Sequence, residues 1–260
     1  HTLFASVTRG YKAGGANTGA FRFAFDPQTY DKETLYNFEI GARSSFADGA
    51  VQTSITLFHL ERKDAQLRDS AGAGGFFRYL TVNGEEAHHL GLEAEATWQI
   101  NQDWRLTTTL GLLDTDRDSY TAIDSDEDVN DALDGDDIDD PLAIQVPSRG
   151  LANAPGYTYS ARLDYAPQEG LFASAELVGS DDYYESNSHN QKRDAFAIVN
   201  ASIGCRFNNW TLTLWSKNLF DEDYAERVFF FNNTDFSDVN TRYEAPAAPR
   251  RFGVTANYSW

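Results

Sequence analysis

Methionine is absent from the 260 residues and cysteine occurs once. No apolar run approaches the roughly 18 residues a transmembrane helix requires, and mean hydropathy is −0.51, so that mode of crossing is excluded. A membrane is not excluded, because a barrel strand needs only about 9 to 11 residues and shows lipid every second one. The lone Cys205 leaves no internal disulfide framework and reads as a small apolar residue on a β-face rather than a reactive thiol. Basic residues are scarce as well, 21 Lys and Arg against 40 Asp and Glu. Without a basic stripe to contact phosphates, a nucleic-acid partner is not expected. Also missing are GxSxG, HExxH, a phosphate loop and a cysteine cluster, so neither an enzyme class nor a cofactor gains support. The chain begins at His1 without a basic segment or an apolar signal core, and the expectation is a processed chain or a fragment.

What is present is alternation, rich in aromatics: 18 Phe, 13 Tyr and 5 Trp beside 19 Gly. Leu90, Leu92, Ala94, Ala96, Trp98 and Ile100 oppose Gly91, Glu93, Glu95, Thr97 and Gln99; Tyr36, Phe38, Ile40 and Ala42 oppose Asn37, Glu39, Gly41 and Arg43. Tyr157 to Tyr165 and the closing Phe252 to Trp260 repeat the pattern. Period-two alternation marks strands, and apolar faces free of charge suit lipid, where a mid-membrane Lys or Arg costs about 2–4 kcal/mol. Tight turns stand at Ala47-Asp48-Gly49, Asn101-Gln102-Asp103, Pro167-Gln168-Glu169-Gly170 and Phe207-Asn208-Asn209. Between them run long, weakly patterned connections around 12–32, 64–76, 114–154, 181–193 and 221–247. Compact soluble domains rarely hold several such loops, whereas outer-membrane barrels alternate short and long connections. About ten antiparallel strands are predicted, near 2–11, 33–46, 50–64, 77–100, 103–114, 156–166, 171–182, 194–207, 210–220 and 249–260. The fold class is all-β, an antiparallel transmembrane β-barrel portion.

Several segments resemble TonB-dependent outer-membrane receptors. Gly10 to Asn17 is similar to a strand-end motif of that family, and Glu33 to Gly41 to the barrel strand that follows. Gly91-Leu92-Glu93-Ala94-Glu95 resembles its recurring G-[VL]-E-x-E strand, Lys217 to Ala225 its NLFDxxY segment, and Pro249 to Trp260 its closing strand. The five occur in the family's order across nearly the whole chain. The resemblance implies a 22-stranded barrel plugged by an N-terminal domain, importing scarce nutrients, commonly ferric siderophores, with energy from an inner-membrane coupling protein. Plug and energy-coupling box are missing from this sequence, so residues 1–260 look like the C-terminal portion of the barrel domain, incompetent for gated transport alone and expected to form an open half-barrel, or an artefactually closed one, rather than a functional pore. The implied location is the bacterial outer membrane. Its lipid, the N-terminal barrel half, the plug, and the barrel assembly machinery are the implied partners, the last recognising Trp260 as terminal aromatic.

Ligand contacts are expected on the outside loops. The candidates are Phe21, Arg22, Phe23, Phe25 and Tyr30, then Phe76, Phe77, Arg78 and Tyr79, then Tyr183, Tyr184 and Arg193, and finally Phe229, Phe230, Phe231 and Arg242. Aromatics with intervening Arg suit a bulky anionic ligand such as a ferric chelate, by stacking and charge pairing; the same residues equally suit an aromatic girdle at the membrane surface. The net charge of −19 is concentrated: Asp114 to Asp140 holds 13 acidic residues and one basic, Arg117. Its Asp124-Ser125-Asp126-Glu127-Asp128 run lacks the Gly and Glu an EF-hand needs, Val129 and Gly135 standing there instead, so no metal is assigned and a solvated outside loop is expected. His88 and His89 point to opposite faces and cannot chelate together, and His59 and His189 have no ligand at sequence spacing. Glu93 and Glu95 are read as lumen polar residues rather than a catalytic pair. The competing class is a non-transporting outer-membrane barrel with a structural or adhesive role, its long loops binding surfaces; an outer-membrane hydrolase lacks a nucleophile and base.

Overall fold

Alternating residues pair side by side along one antiparallel sheet. The computed structural model describes residues 1–18, 28–73, 76–84, 86–123, 143–187, 189–231 and 241–260, with backbone alone at 69–79, 121–123, 143–145, 231 and 241. In chain order the strands are β1 (Thr2–Lys12), β2 (Gly15–Ala16), β3 (Thr29–Tyr30), β4 (Glu33–Phe46), β5 (Val51–Lys63), β6 (Gln66–Ala73), β7 (Phe76–Asn83), β8 (Glu86–Gln99), β9 (Trp104–Arg117) and β10 (Tyr120–Ile123). The second half continues with β11 (Ala143–Val146), β12 (Tyr157–Tyr165), β13 (Gly170–Ser180), β14 (Tyr183–Tyr184), β15 (Lys192–Arg193), β16 (Phe196–Phe207), β17 (Trp210–Lys217), β18 (Ala225–Phe231), β19 (Thr241–Pro246) and β20 (Arg251–Tyr258). Ten of them form a single sheet in the order β1-β4-β5-β8-β9-β12-β13-β16-β17-β20, with β1 and β20 at its two edges. Among the described residues no helix is long and apolar enough to cross a membrane.

The expected ten strands are therefore present, with two corrections. The single strand anticipated over 77–100 is two: β7 ends at Asn83 and β8 begins at Glu86, because Gly84 sits at a break where its N–H donates to Ala65 O at 2.7 Å. The strand expected to stop at 114 runs on to Arg117, so Asp114 and Asp116 belong to the wall rather than to a loop. The long connections also carry more order than their weak patterning suggested: each folds into a hairpin of its own, β2–β3, β6–β7, β10–β11, β14–β15 and β18–β19. Such two-stranded units alternate too briefly to be read from a short sequence window.

Directly opposed residues share a face, so the register converts alternation into two surfaces. One row runs Leu3, Ala42, Ile55, Ala94, Leu110 and Tyr159 across six strands. Another runs Ala173, Ile203, Leu214 and Val254 across the last four. Cys205 lies on this apolar face between Leu171 and Leu212, in keeping with its reading as a small apolar residue. Among the described residues nothing covers this face: on inner strands Ile55 is 48% and Leu214 52% exposed. In water each such side chain would forgo roughly 1.5–3 kcal/mol of burial, so the surface is built for an apolar solvent.

The opposite face is polar and internally bonded. Ser6 Oγ donates to Glu39 at 3.0 Å, Asn200 Nδ2 to Glu176 at 3.0 Å, and the hydroxyls of Thr109 and Ser160 meet at 2.7 Å. Aromatics on this face lie flat over glycines of the next strand, Phe4 over Gly41, Phe58 over Gly91, Phe172 over Gly204 and Trp215 over Gly253; a Cβ added at any of the four would fall inside the 3.0 Å that real Cβ atoms respect. That is why glycine recurs within these strands despite its weak strand propensity.

The Lys217-to-Ala225 segment locks the last hairpin. Asn218 turns the chain at φ 50 and is nearly buried; its amide nitrogen donates to Glu222 O at 2.8 Å and its Oδ1 accepts from Glu222 N at 2.9 Å. Asp221 Oδ1 then accepts the Arg250 N–H at 2.8 Å, one residue before β20. Asn tolerates the left-handed region and supplies both hydrogen-bonding groups, which explains its place at the head of the motif. Trp260 lies beyond the end of β20 and is fully exposed at 102%.

Candidate functional site

All the short turns and both chain termini lie along one rim of the sheet; the five hairpins crown the other. The buried apolar cluster of the described residues sits in this crown, where Leu67, Tyr120 and Val146 pack together with Val82 against them. Polar locks join the hairpins. Asn17 exchanges two hydrogen bonds of 2.9 Å with the Thr81 backbone, and Gln66 Nε2 donates to Ala13 O and Asp31 O, each at 2.9 Å.

Four arginines and a set of aromatic rings lead away from this cluster through the crown, beginning at Tyr120. Arg117, at the end of β9, bridges the Arg149 backbone, and the Arg117 guanidinium lies 4.5 Å from the Tyr120 ring centre. Arg149 stacks on Tyr184 at 4.3 Å and donates to the carbonyls of Ser186 at 2.8 Å and His189 at 2.8 Å, which holds the β14–β15 connection in place. Burial, and then the adjacent Arg117 charge, lower the Arg149 pKa from its ordinary value. Arg193 donates to Tyr183 Oη at 2.6 Å and lies over Phe196 at 4.9 Å and Tyr224 at 5.5 Å. Phe230, opposite Arg242 in β18–β19, stacks on His189 with ring centres 4.1 Å apart. Arg242 pairs with Glu244.

A cavity of about 290 Å³ opens between Arg193, Asp194, Asp223, Tyr224, Arg242 and Glu244, so that three carboxylates line it beside two guanidinium groups. Two buried donors at its wall, the Nε groups of Arg193 and Arg242, have no hydrogen-bond partner among the described residues; nor do Arg149 Nε and Glu185 Oε2 elsewhere in the crown. Burial raises the Glu185 pKa, more than the facing Arg242 and Arg193 charges lower it. Guanidinium groups set among aromatic rings suit planar or delocalised anions.

Of the residues singled out from sequence, Tyr183, Tyr184, Arg193, Phe230 and Arg242 meet here, with Phe229 stacked on Tyr243 at 5.4 Å alongside. Tyr30 lies elsewhere in the crown, opposite Gly15 on β2. Phe76, Phe77, Arg78 and Tyr79 are placed on the β7 backbone opposite Ala73, Gly72, Ala71 and Ser70. Phe21, Arg22, Phe23 and Phe25 lie outside the described residues, as does most of the acidic segment, including Asp124 to Asp128. Sequence reasoning missed Arg117, Arg149, Tyr120 and Tyr224. Only the isolated arginines of a long acidic connection could have hinted at the first two, since the Arg117 partner at Asn187 O is 70 residues away.

A wall with an apolar outer belt, a polar inner face, short turns on one rim and a crown of hairpins on the other defines an outer-membrane β-barrel. Solved structures agree on the fold. The ferric yersiniabactin uptake receptor FyuA from Yersinia pestis superposes with a TM-score of 0.70 at 16% identity, covering 98% of this chain and 34% of that one. The siderophore receptor PiuA from Acinetobacter baumannii gives 0.69 at 19% identity, covering 98% and 33%. Residues 1–219 match the family model described as TonB dependent receptor-like, beta-barrel, and the chain belongs to that family. Among curated relatives, the metal-pseudopaline receptor CntO of Pseudomonas aeruginosa strain PAO1 is 24% identical over 266 residues, spanning 98% of this chain and 31% of its own length. The chain thus spans about a third of the curated relatives it matches. Its location is the bacterial outer membrane; the apolar face meets lipid, the polar face the lumen, and the crown the outside.

Proposed function

We propose that this chain is the C-terminal wall and part of the outer ligand surface of a TonB-dependent receptor that imports a bulky anionic nutrient, a chelated metal above all. The observation that carries the reading is the crown's trio of unpartnered buried guanidinium Nε groups, at Arg149, Arg193 and Arg242, set among Tyr183, Tyr184, Tyr224 and Phe230. An anion that draws these side chains round toward the cavity would satisfy donors whose isolation costs about 1–3 kcal/mol each. The similar proteins, receptors for a metal-pseudopaline complex and for ferric yersiniabactin, support a chelate as cargo. In the intact receptor the wall would hold a plug worked by the inner-membrane coupling protein, and Trp260 would serve as the signal to the assembly machinery. By itself the ten-stranded wall would bind without transporting.

The test is a panel of ferric catecholate, ferric hydroxamate and metal–aminocarboxylate complexes offered to the full-length receptor and to its Arg149→Ala and Arg193→Ala variants. For the cognate complex, each variant should weaken binding by about tenfold or more, the loss of one charged hydrogen bond. Unchanged affinity and uptake in both variants would exclude this surface.

A further inference from the structure

A second constellation faces away from the lumen. His59 and Glu61, two residues apart on β5, share a face, and Glu61 lies directly opposite His88 on β8. One ligand atom from each comes within 4.8 Å of the other two, and the two imidazole rings are nearly parallel, with centres 6.1 Å apart at 9°. Sequence spacing had left His59 without a companion; strand pairing supplies one from 29 residues along the chain.

The place on the wall is as informative as the residues. On this face the last wholly apolar row is Ile40, Leu57, Leu92 and Leu112. The next mixes Phe38 and Leu90 with His59 and Asp114, and the one beyond it holds Tyr36, Glu61, His88 and Asp116. Strands of 13 or 14 residues extend about 43–46 Å, which even when tilted outruns an apolar band of roughly 25 Å, so this row stands in the outer headgroup layer. Glu86 adds a carboxylate 3.8 Å from His88 Nε2 while pairing with Lys63 at 3.3 Å.

Two imidazole nitrogens and one carboxylate are the donor set of a borderline divalent ion such as Zn²⁺ or Cu²⁺, not of Ca²⁺ or Mg²⁺, which prefer oxygen throughout. Ligands about 2.0–2.1 Å from a tetrahedral ion stand roughly 3.3 Å apart, so the site closes by rotation of the exposed His88 side chain. We propose that His59, Glu61 and His88 form a zinc-class metal site on the outer wall, stapling β5 to β8 at the extracellular margin of the bilayer. Three protein ligands leave the fourth position to water or to the neighbouring Asp116. This site is independent of the crown and of whatever cargo passes through the lumen.

The full-length receptor, stripped of metal in detergent, is titrated calorimetrically with Zn²⁺ alone, and its folded state is checked by heat-modifiable gel mobility. The unsubstituted protein should bind one Zn²⁺ that His59→Ala or His88→Gln weakens by about 100-fold and Glu61→Gln by 10–100-fold. His89→Gln, the neighbour on the opposite face, should leave it unchanged, and millimolar Ca²⁺ should not compete. With Cu²⁺ as the probe, electron paramagnetic resonance should show two imidazole nitrogens, reduced to one in either histidine variant. Equal Zn²⁺ affinity and stoichiometry in the folded His59→Ala, His88→Gln and parent proteins would overturn the site, as would a copper spectrum insensitive to both.

Discussion

Single residues in the crown are held in states that water alone would not favour. Glu185 is the clearest: burial raises its pKa, and its Oε2 has no hydrogen-bond partner among the described residues. A carboxyl whose folded pKa lies above its unfolded value contributes stability that is complete at low pH and lost as pH rises through the folded pKa. The β14–β15 connection should therefore be best protected in mild acid and loosen toward neutrality. Glu185→Gln should abolish that dependence and leave 183–187 more protected at pH 7, read by hydrogen exchange corrected for the intrinsic rate. A parent protein with pH-independent protection would show that Arg193 and Arg242 already compensate the charge. The glycines under Phe4, Phe58, Phe172 and Trp215 make the complementary point on the inner face, where the absence of a side chain is itself the packing feature.

Within a strand, adjacent positions face different solvents, and substitutions should register that. Ile55 lies on the lipid row between Ala42 and Ala94; Ser54, one residue away, faces the lumen between Arg43 and Glu95. Ile55→Arg should cost about 2–4 kcal/mol, the penalty for a cation near mid-bilayer, whereas Ser54→Arg should stay within about 0.5 kcal/mol. Denaturant unfolding of the full-length receptor in lipid vesicles measures both; equal losses would mean the faces are assigned wrongly. The NLFDxxY lock acts at the same scale. Asn218 fixes the turn that follows β17 and Asp221 ties it to the entry of β20, so these residues shape an element boundary.

For the whole molecule, the order of the sheet is the decisive property. β1 and β20 are its edges, each paired on one side only. An unpaired strand edge is untenable in a bilayer. Both edges are therefore proposed to pair with further strands of the intact barrel rather than with each other. Cysteine pairs placed in a Cys205→Ser background of the full-length receptor test this. Leu214→Cys with Val254→Cys, directly opposed on β17 and β20, should cross-link readily, and Val7→Cys with Val254→Cys should not. Cross-linking of the second pair would mean that the ten strands close on themselves.

Alternation and tight turns are local signals, and that is why the number of wall strands, their faces and the short-long rhythm of their connections are legible in the sequence alone. Period two assigns each side chain to lipid or lumen as soon as a strand is recognised, and turn chemistry lies within a few residues of its effect. The motifs of residues 10–17, 33–41, 91–95, 217–225 and 249–260 were legible for the same reason, since each belongs to one strand or one strand end. Cross-strand neighbours obey no such rule. The break at Gly84, the hairpins of the crown, the meeting of Arg117 and Arg149 with Tyr120 and Tyr184, and the approach of His88 to His59 depend on register between segments tens of residues apart. Register is set by pairing along the entire sheet, so only the tertiary structure could decide which polar side chains share a site, and on which face of the wall it lies.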